Sequence, residues 1–446
     1  MIAGHRQPLR TGATVALHGG RWSAHQHRLE MPRTLFSTRL QRAPLWLIAA
    51  LLFTMASWLS TLGQTVPQML DGIVRSSHLA DAREAYLPII WPISHAANLL
   101  ALPDGDLLCF WFTGTEEGSS GVSIAMSLLA HGSARWTRPV ILARNPGRSD
   151  QNPVPFRSPD GLLWLFYTSQ EAGKGQTTAV VYKLTSSDQG HTWTAPAILF
   201  SQPGTFIRQH LVVFHEKWLF PTYHSASPGI IKNAQNDVSI VRISDDDGKR
   251  WNACEVPDSD GLVQMDIVPL STGQLIAFFR SRYADWIYRS HSTDGCHWSS
   301  PLPTQLPNNN ASIQLVRLRD GHLVLAFNNI QASPKRTSPC VAARNILSIA
   351  LSTDGGNTWP WVRDVEAPRQ PSLSDSGDDS EYSYPSVAQT PDGTIQMAFT
   401  FQRQTIKYLS FHEDWIKHGA TAGLYKPPRD STSGRSSAMA PGRTRR

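Results

Sequence analysis

Six polar side chains recur at one place in an otherwise apolar pattern. His95, Asn152, Arg208, Gln264, Ser312 (with its neighbour Asn310) and Tyr384 each stand nine or ten positions ahead of a tight-turn residue. A packed core would not select that set, because buried polar groups without partners are costly. Brought to one end of a channel, they would make a convergent polar mouth of the kind that binds a small molecule. Two of them carry reactive chemistry. Tyr384 offers a phenol that becomes a nucleophile once its proton is drawn off, and His95 offers an imidazole able to move protons near neutral pH.

The elements that would position these residues are legible as a repeat. A tight-turn dipeptide followed by an alternating apolar strand occurs at Asp104-Gly105, Asp160-Gly161, Thr272-Gly273, Asp320-Gly321 and Asp392-Gly393, with a weaker copy at Glu216-Lys217. Asp-Gly between apolar runs signals a hairpin, since its backbone tolerates positive φ. A second phrase interleaves with the first. Ser186 to Trp193 and Ser352 to Trp359 read S-x-D-x-G-x-T-W; Ser244 to Trp251 departs at Arg250, Ser292 to Trp298 is one residue shorter, and Ser127 to Trp136 is a decayed copy. Its Asp can bond turn amides, its Gly takes the left-handed backbone and its Trp packs beneath, a structural role. Six strand phrases and about five turn phrases predict an all-β fold, a six-bladed β-propeller. The sparse charge, 17%, and the 15 Trp suit that class.

The turn phrases resemble the Asp boxes, or BNR repeats, of the sialidase superfamily, over roughly residues 85–415. Phe279-Arg280-Ser281-Arg282, Leu306 to Ser312 and Glu381-Tyr382-Ser383-Tyr384-Pro385-Ser386 look like its BNR-repeat-like branch. That branch is also similar to propeller lyases that split rhamnose from glucuronic acid. The resemblance implies a site in which Tyr384 is the nucleophile and Arg280, Arg344 and Arg208 hold the substrate carboxylate. Arginine suits that task, because its planar fork grips a carboxylate through two bonds. Two departures stand out. His95 occupies the place of the family's first clamp arginine, and Gln264 the place of the Glu that activates the tyrosine. The family's acid/base Asp has no clear counterpart; Glu116 and Glu117 are near in sequence. Three readings are open: an exo-acting hydrolase releasing a terminal anionic sugar, a uronate lyase with His95 as base, and a glycan-binding propeller without turnover. The expected partner is an acidic glycan or polysaccharide. No cofactor is implied, and no metal motif is present.

The chain's net charge of +6 is carried by its ends: residues 1–43 hold +6 and residues 426–446 hold +5, which leaves −5 between them. The folded part therefore has no nucleic-acid footprint. Residues 44–63 form an apolar stretch, Leu45 to Leu59 at its centre, behind an arginine-rich flank. With about 18–20 apolar residues it is long enough to span a bilayer, and the positive-inside rule exports the polypeptide C-terminal to it. The expectation is an N-terminal transmembrane or signal helix, uncleaved, with the propeller outside the cytoplasm; cleaved secretion is the alternative. Met31 could serve as the start. The tail 426–446 reads as disordered. The four cysteines, Cys109, Cys254, Cys296 and Cys340, form no CxxC pair. They read as buried or free thiols, with one disulfide open to them in an oxidising compartment.

Overall fold

The structure, a computed structural model, describes residues 70–226, 234–336, 338–368 and 380–427. The basic segment 1–43, the apolar segment 44–63 and the tail from residue 428 lie outside the described residues. Among the described residues, no helix is long and apolar enough to cross a membrane.

Two short strands, β1 (Arg75–Ser76) and β2 (Arg83–Tyr86), precede the first blade. Blade one is β3 (Ile93–Ala101), β4 (Leu107–Gly114), β5 (Ser123–Leu129) and β6 (Val140–Ala143). Blade two is β7 (Arg148–Arg157), β8 (Leu163–Glu171), β9 (Val180–Ser186) and β10 (Ala197–Phe200). Blade three splits its inner strand into β11 (Thr205–Ile207) and β12 (Val212–Phe214), followed by β13 (Lys217–His224), β14 (Val238–Ser244) and β15 (Asn252–Glu255). Blade four is β16 (Leu262–Pro269), β17 (Leu275–Ser281), β18 (Trp286–Ser292) and β19 (Leu302–Pro307). Blade five is β20 (Gln314–Arg317), β21 (Leu323–Asn328), β22 (Leu347–Ser352) and β23 (Trp361–Glu366). Blade six is β24 (Tyr382–Gln389), β25 (Ile395–Phe401) and β26 (Thr405–Phe411), completed by β2 and β1 from the other end of the described chain. The six antiparallel sheets make the predicted six-bladed propeller.

Second strands of the blades are buried along almost their whole length; in β4, Leu107 to Gly114 are all buried. Each blade is covered on both faces by its neighbours, so the alternation of a half-buried strand gives way to a continuous apolar run. Outer strands such as β6 and β10 expose half their residues. Side chains such as Phe110, Phe166, Phe220 and Phe278 are fully buried, each contributing about 2–3 kcal/mol through removal from water.

The turn phrases close the link between third and fourth strands, on the outer side of blades one to five. In the first of them Ser186 Oγ donates to Asp188 Oδ1 (2.8 Å), the Gly190 amide donates to Ser186 Oγ (2.9 Å), and Trp193 Nε1 donates to the Gly190 carbonyl (3.0 Å). Gly190 has φ 92°, which a side chain would strain. The same bonds recur at Ser244, Asp246, Gly248 and Trp251, and at Ser292, Asp294, Gly295 and Trp298. Against the expectation of free thiols, Cys254 and Cys296 form a disulfide, with 5.2 Å between their Cα atoms. It ties the outer strand of blade three to the turn phrase of blade four. These cysteines are 42 residues apart, and only the ring arrangement makes them neighbours. Cys109 and Cys340 remain free thiols.

Candidate functional site

The inner strands share one irregularity, and the site is built on it. In β3, β7, β16 and β24 the pairing register shifts at the same place. Ala96-Ala97, Asn152-Pro153, Gln264-Met265 and Tyr384-Pro385 each stand opposite a single residue of the next strand. The first residue of each pair is left-handed, with φ 59°, 48°, 51° and 53°; Asn310, ahead of β20, has φ 62°. Such a bulge bends a strand and re-aims a side chain, at about 1–2 kcal/mol for each residue that is not glycine. The regular counting of the sequence therefore finds Asn152, Gln264 and Tyr384 at this position. In blade one the bulge residue is Ala96 rather than His95, and in blade five the left-handed residue ahead of the strand is Asn310 rather than Ser312.

Tyr384 is the centre of the cluster. Its hydroxyl accepts a 2.7 Å hydrogen bond from Arg280 Nη1, and the same nitrogen donates to Gln264 Oε1 at 3.1 Å. Arg280 Nε donates to Asn310 Oδ1 at 2.8 Å. Three guanidinium groups surround the phenol ring: Arg208 at 5.4 Å, Arg280 at 5.7 Å and Arg344 at 5.5 Å from its centroid. Burial alone would raise the Tyr384 pKa. The charges of Arg280 and Arg344 outweigh it, with help from the Arg280 hydrogen bond, and hold the phenol below its ordinary value. Cations therefore favour the phenolate here, where a carboxylate beside the tyrosine was the expected family device.

Three of the expected residues stand differently from their sequence-based roles. Arg208 does not face a ligand: its Nη2 donates to the carbonyls of Ala97 (3.0 Å), Tyr384 (3.2 Å) and Pro385 (3.1 Å), and its Nε to Ser312 Oγ (3.2 Å). It is buried at the centre of the ring, with Ser312 fully buried beside it, so both underpin the mouth rather than line it. The carbonyl bonds hold the left-handed backbone of Tyr384 in place. His95 is also turned inward. Its ring is 1% exposed, lies 4.3 Å from the Tyr384 ring, and places Nδ1 2.8 Å from Thr400 Oγ1. Burial, aided by the Arg403 charge, pushes its pKa well below the ordinary value, so the imidazole is neutral. Asn152 sits at its bulge on β7, next to Gln151, which lines the cavity.

Two functional residues escaped the sequence reading. Glu381 accepts from Arg344 Nη1 at 3.0 Å, from Arg403 Nε at 2.6 Å and from Ser383 Oγ at 2.6 Å. Burial would raise its pKa; Arg344 and Arg403 together hold the carboxyl well below the usual range. Arg403, on the β25–β26 turn, also pairs with Glu117. The signal for Glu381 was its place in the Glu381 to Ser386 phrase. Arg403 had none, because only the fold brings its turn to the mouth.

A cavity of about 680 Å³ opens at this end of the propeller, lined among others by Glu116, Glu117, Gln151, Gln170, Asp237 and Arg282. Arg282 and Asp237 form a buried ion pair on its wall (2.8 Å). Among the described residues one group could gather a cation, Asp320, His322 and Glu413. It lies at the β20–β21 turn, the opposite end of the strands, and Lys417 already pairs with Glu413 at 2.7 Å.

Fold and site together define a sialidase-like propeller: six antiparallel blades with Asp-box turns and, on an inner strand, a tyrosine ringed by arginines. The chain belongs to the BNR repeat-like domain family, which it matches over residues 105–397. Its sequence matches none of the curated proteins. Among solved structures it is similar to a Hadza microbial sialidase (15% identity, TM-score 0.57, covering 73% of this chain and 66% of that one). It is likewise similar to the intramolecular trans-sialidase of Ruminococcus gnavus (15%, 0.56, 73% and 96%) and to a sialidase of Streptococcus pneumoniae (13%, 0.58, 81% and 73%). At these identities the likeness is one of fold.

Proposed function

We propose that the chain is a sialidase-type glycosidase that releases a terminal acidic sugar from a glycan, with Tyr384 as nucleophile. The observation that carries the reading is the 2.7 Å bond from Arg280 to the Tyr384 hydroxyl inside a ring of three guanidinium groups. The same cations that lower the phenol's pKa suit a sugar carboxylate. In the first step the Tyr384 phenolate attacks the anomeric carbon and the glycosidic C–O bond breaks. The departing oxygen takes a proton from Glu117, the cavity-lining carboxyl on the β4–β5 loop, which has left Arg403 and taken up that proton from solvent. In the second step Glu117 draws a proton from water, the water oxygen attacks the anomeric carbon, and the phenolate leaves.

The elimination reading required His95 as a base facing the substrate. Its burial against Tyr384 and Thr400 weighs against that reading. The test is release of fluorophore from an aryl N-acetylneuraminoside by the wild type and by Tyr384→Phe. Turnover in the wild type alone supports the proposal. Full activity in Tyr384→Phe, or a conjugated unsaturated uronate appearing in the ultraviolet from a glucuronate polysaccharide, refutes it.

We further propose that the propeller functions outside the cytoplasm, tethered by the apolar segment 44–63. The Cys254–Cys296 disulfide supports this, because such bonds persist in oxidising compartments. A reporter fused after residue 80 that is active only in the cytoplasm contradicts it.

A further inference from the structure

We infer that Arg403 supplies the arm of the carboxylate clamp that His95 cannot, and that Glu117 occupies this arm until an acidic sugar displaces it. The inference rests on the acidic-sugar reading above. Blade one should furnish an arginine where His95 stands, and His95 instead points its ring into blade six, onto Thr400. Blade six returns an arginine to the same place. The Ser94 amide, one residue before His95, donates to the Arg403 carbonyl at 2.8 Å. The β25–β26 turn is thereby fixed against the vacated position.

Arg403 is then oriented as a clamp residue would be. Glu381 takes Arg403 Nε on one carboxylate oxygen (2.6 Å) and Arg344 Nη1 on the other (3.0 Å), so one half-buried anion aligns two guanidinium groups side by side. Arg344 is already beside the Tyr384 ring. The remaining edge of Arg403 holds the carboxylate of Glu117. That side chain comes from a cavity-lining loop and is itself 39% exposed. A protein carboxylate thus rests on Arg403 beside the cavity, as the carboxylate of a bound sugar would. Its departure would leave Glu117 free to act on the glycosidic oxygen.

The backbone supports the assignment independently. Gln402 and Arg403 both have φ 54°, and the Gln404 amide donates to the Phe401 carbonyl at 3.0 Å. Such a two-residue turn favours Asn-Gly, and side chains there are strained. A turn that needed only to reverse the chain would not favour an arginine in the glycine position.

The test uses the full chain and two probes, N-acetylneuraminate and its methyl ester, with dissociation constants read by calorimetry or ligand-observed NMR. The wild type should prefer the acid. Arg403→Gly, which suits the turn, should stay folded by its thermal midpoint and bind the acid about ten- to a hundred-fold more weakly, with the ester little changed. Glu117→Gln, which vacates the arm, should bind the acid more tightly and the ester as before. If Arg403→Gly does not fold, Arg403→Lys is read in the same way. A folded Arg403 variant that keeps the wild-type preference overturns the inference and leaves the acidic-sugar reading standing. Unaltered binding by Glu117→Gln overturns the displacement. A wild type indifferent between acid and ester overturns the acidic-sugar reading, and the inference falls with it.

Discussion

Arg280→Lys conserves charge, and the structure says it should still be severe. The guanidinium makes three bonds in fixed directions, 2.7 Å to Tyr384, 3.1 Å to Gln264 and 2.8 Å to Asn310, while 4% exposed. An ammonium is a single point and cannot serve Asn310 on one side and the phenol on the other. Losing one arm of a buried, hydrogen-bonded charge costs about 2–4 kcal/mol, roughly 30- to 700-fold in kcat/KM. A second effect separates geometry from charge. Arg280 is the strongest influence lowering the Tyr384 pKa against the effect of burial. Activity that needs the phenolate should therefore have its ascending limb moved to higher pH in Arg280→Gln, and by less in Arg280→Lys. The pH profile of kcat/KM measures this. Ultraviolet titration of tyrosinate, taken as the difference from Tyr384→Phe, measures it without substrate. A lysine variant within about three-fold of wild type, or a glutamine variant with an unmoved ascending limb, would refute the reasoning.

Cys254→Ser should lower stability by about 3–4 kcal/mol, the chain-entropy expectation for a closed loop of this length, and reducing agent should do the same to the wild type only; calorimetry with and without reductant checks it. Glu381 has its pKa depressed on folding, so its contribution is complete above its ordinary 4.5 and is lost as pH falls below that value. His95, also depressed, begins the loss below 6.5. Acid unfolding of Glu381→Gln should therefore be flatter below pH 4.5, and an unchanged acid limb would count against the arginine pairing. Lys407 is 1% exposed between Glu366 (2.7 Å) and Glu84 (3.3 Å). Lys407→Met should destabilise by about 3–5 kcal/mol in denaturant titration, since two acids are left without their cation.

The blades were legible because each is a local object. A turn dipeptide, an apolar run and an Asp box recur within one sheet, and Asp188 or Gly190 does its work on residues four positions away. Counting from the turn also located the bulge residues Asn152, Gln264 and Tyr384, since bulge and turn share a strand. It slipped in blade one, where alanine fills the bulge and the polar residue is the one beside it. It also slipped in blade five, where the polar run Asn308 to Asn310 offered several candidates. Side-chain direction was beyond it. Arg208 and His95 are polar residues on inner strands, yet their partners are carbonyls and a threonine of other blades. Arg403 and the disulfide share that character, because ring geometry, not sequence spacing, makes Arg403 a neighbour of Ser94 and Cys254 a neighbour of Cys296.

Blade six draws its outer strands from before blade one. β2 pairs with β26 from Arg83↔Ser410 to Tyr86↔Lys407, and the Thr405 hydroxyl donates to the Leu87 carbonyl across 318 residues of sequence. The last strand needed to close the ring is therefore among the last to be synthesised. Until Phe411 has left the ribosome, β2 is paired on one edge only, with β1, and blade one is open on one flank. The same dependence means that removing either β2 or β26 opens the same seam, and losing β26, which is paired to both β25 and β2, also strips the blade of its third strand.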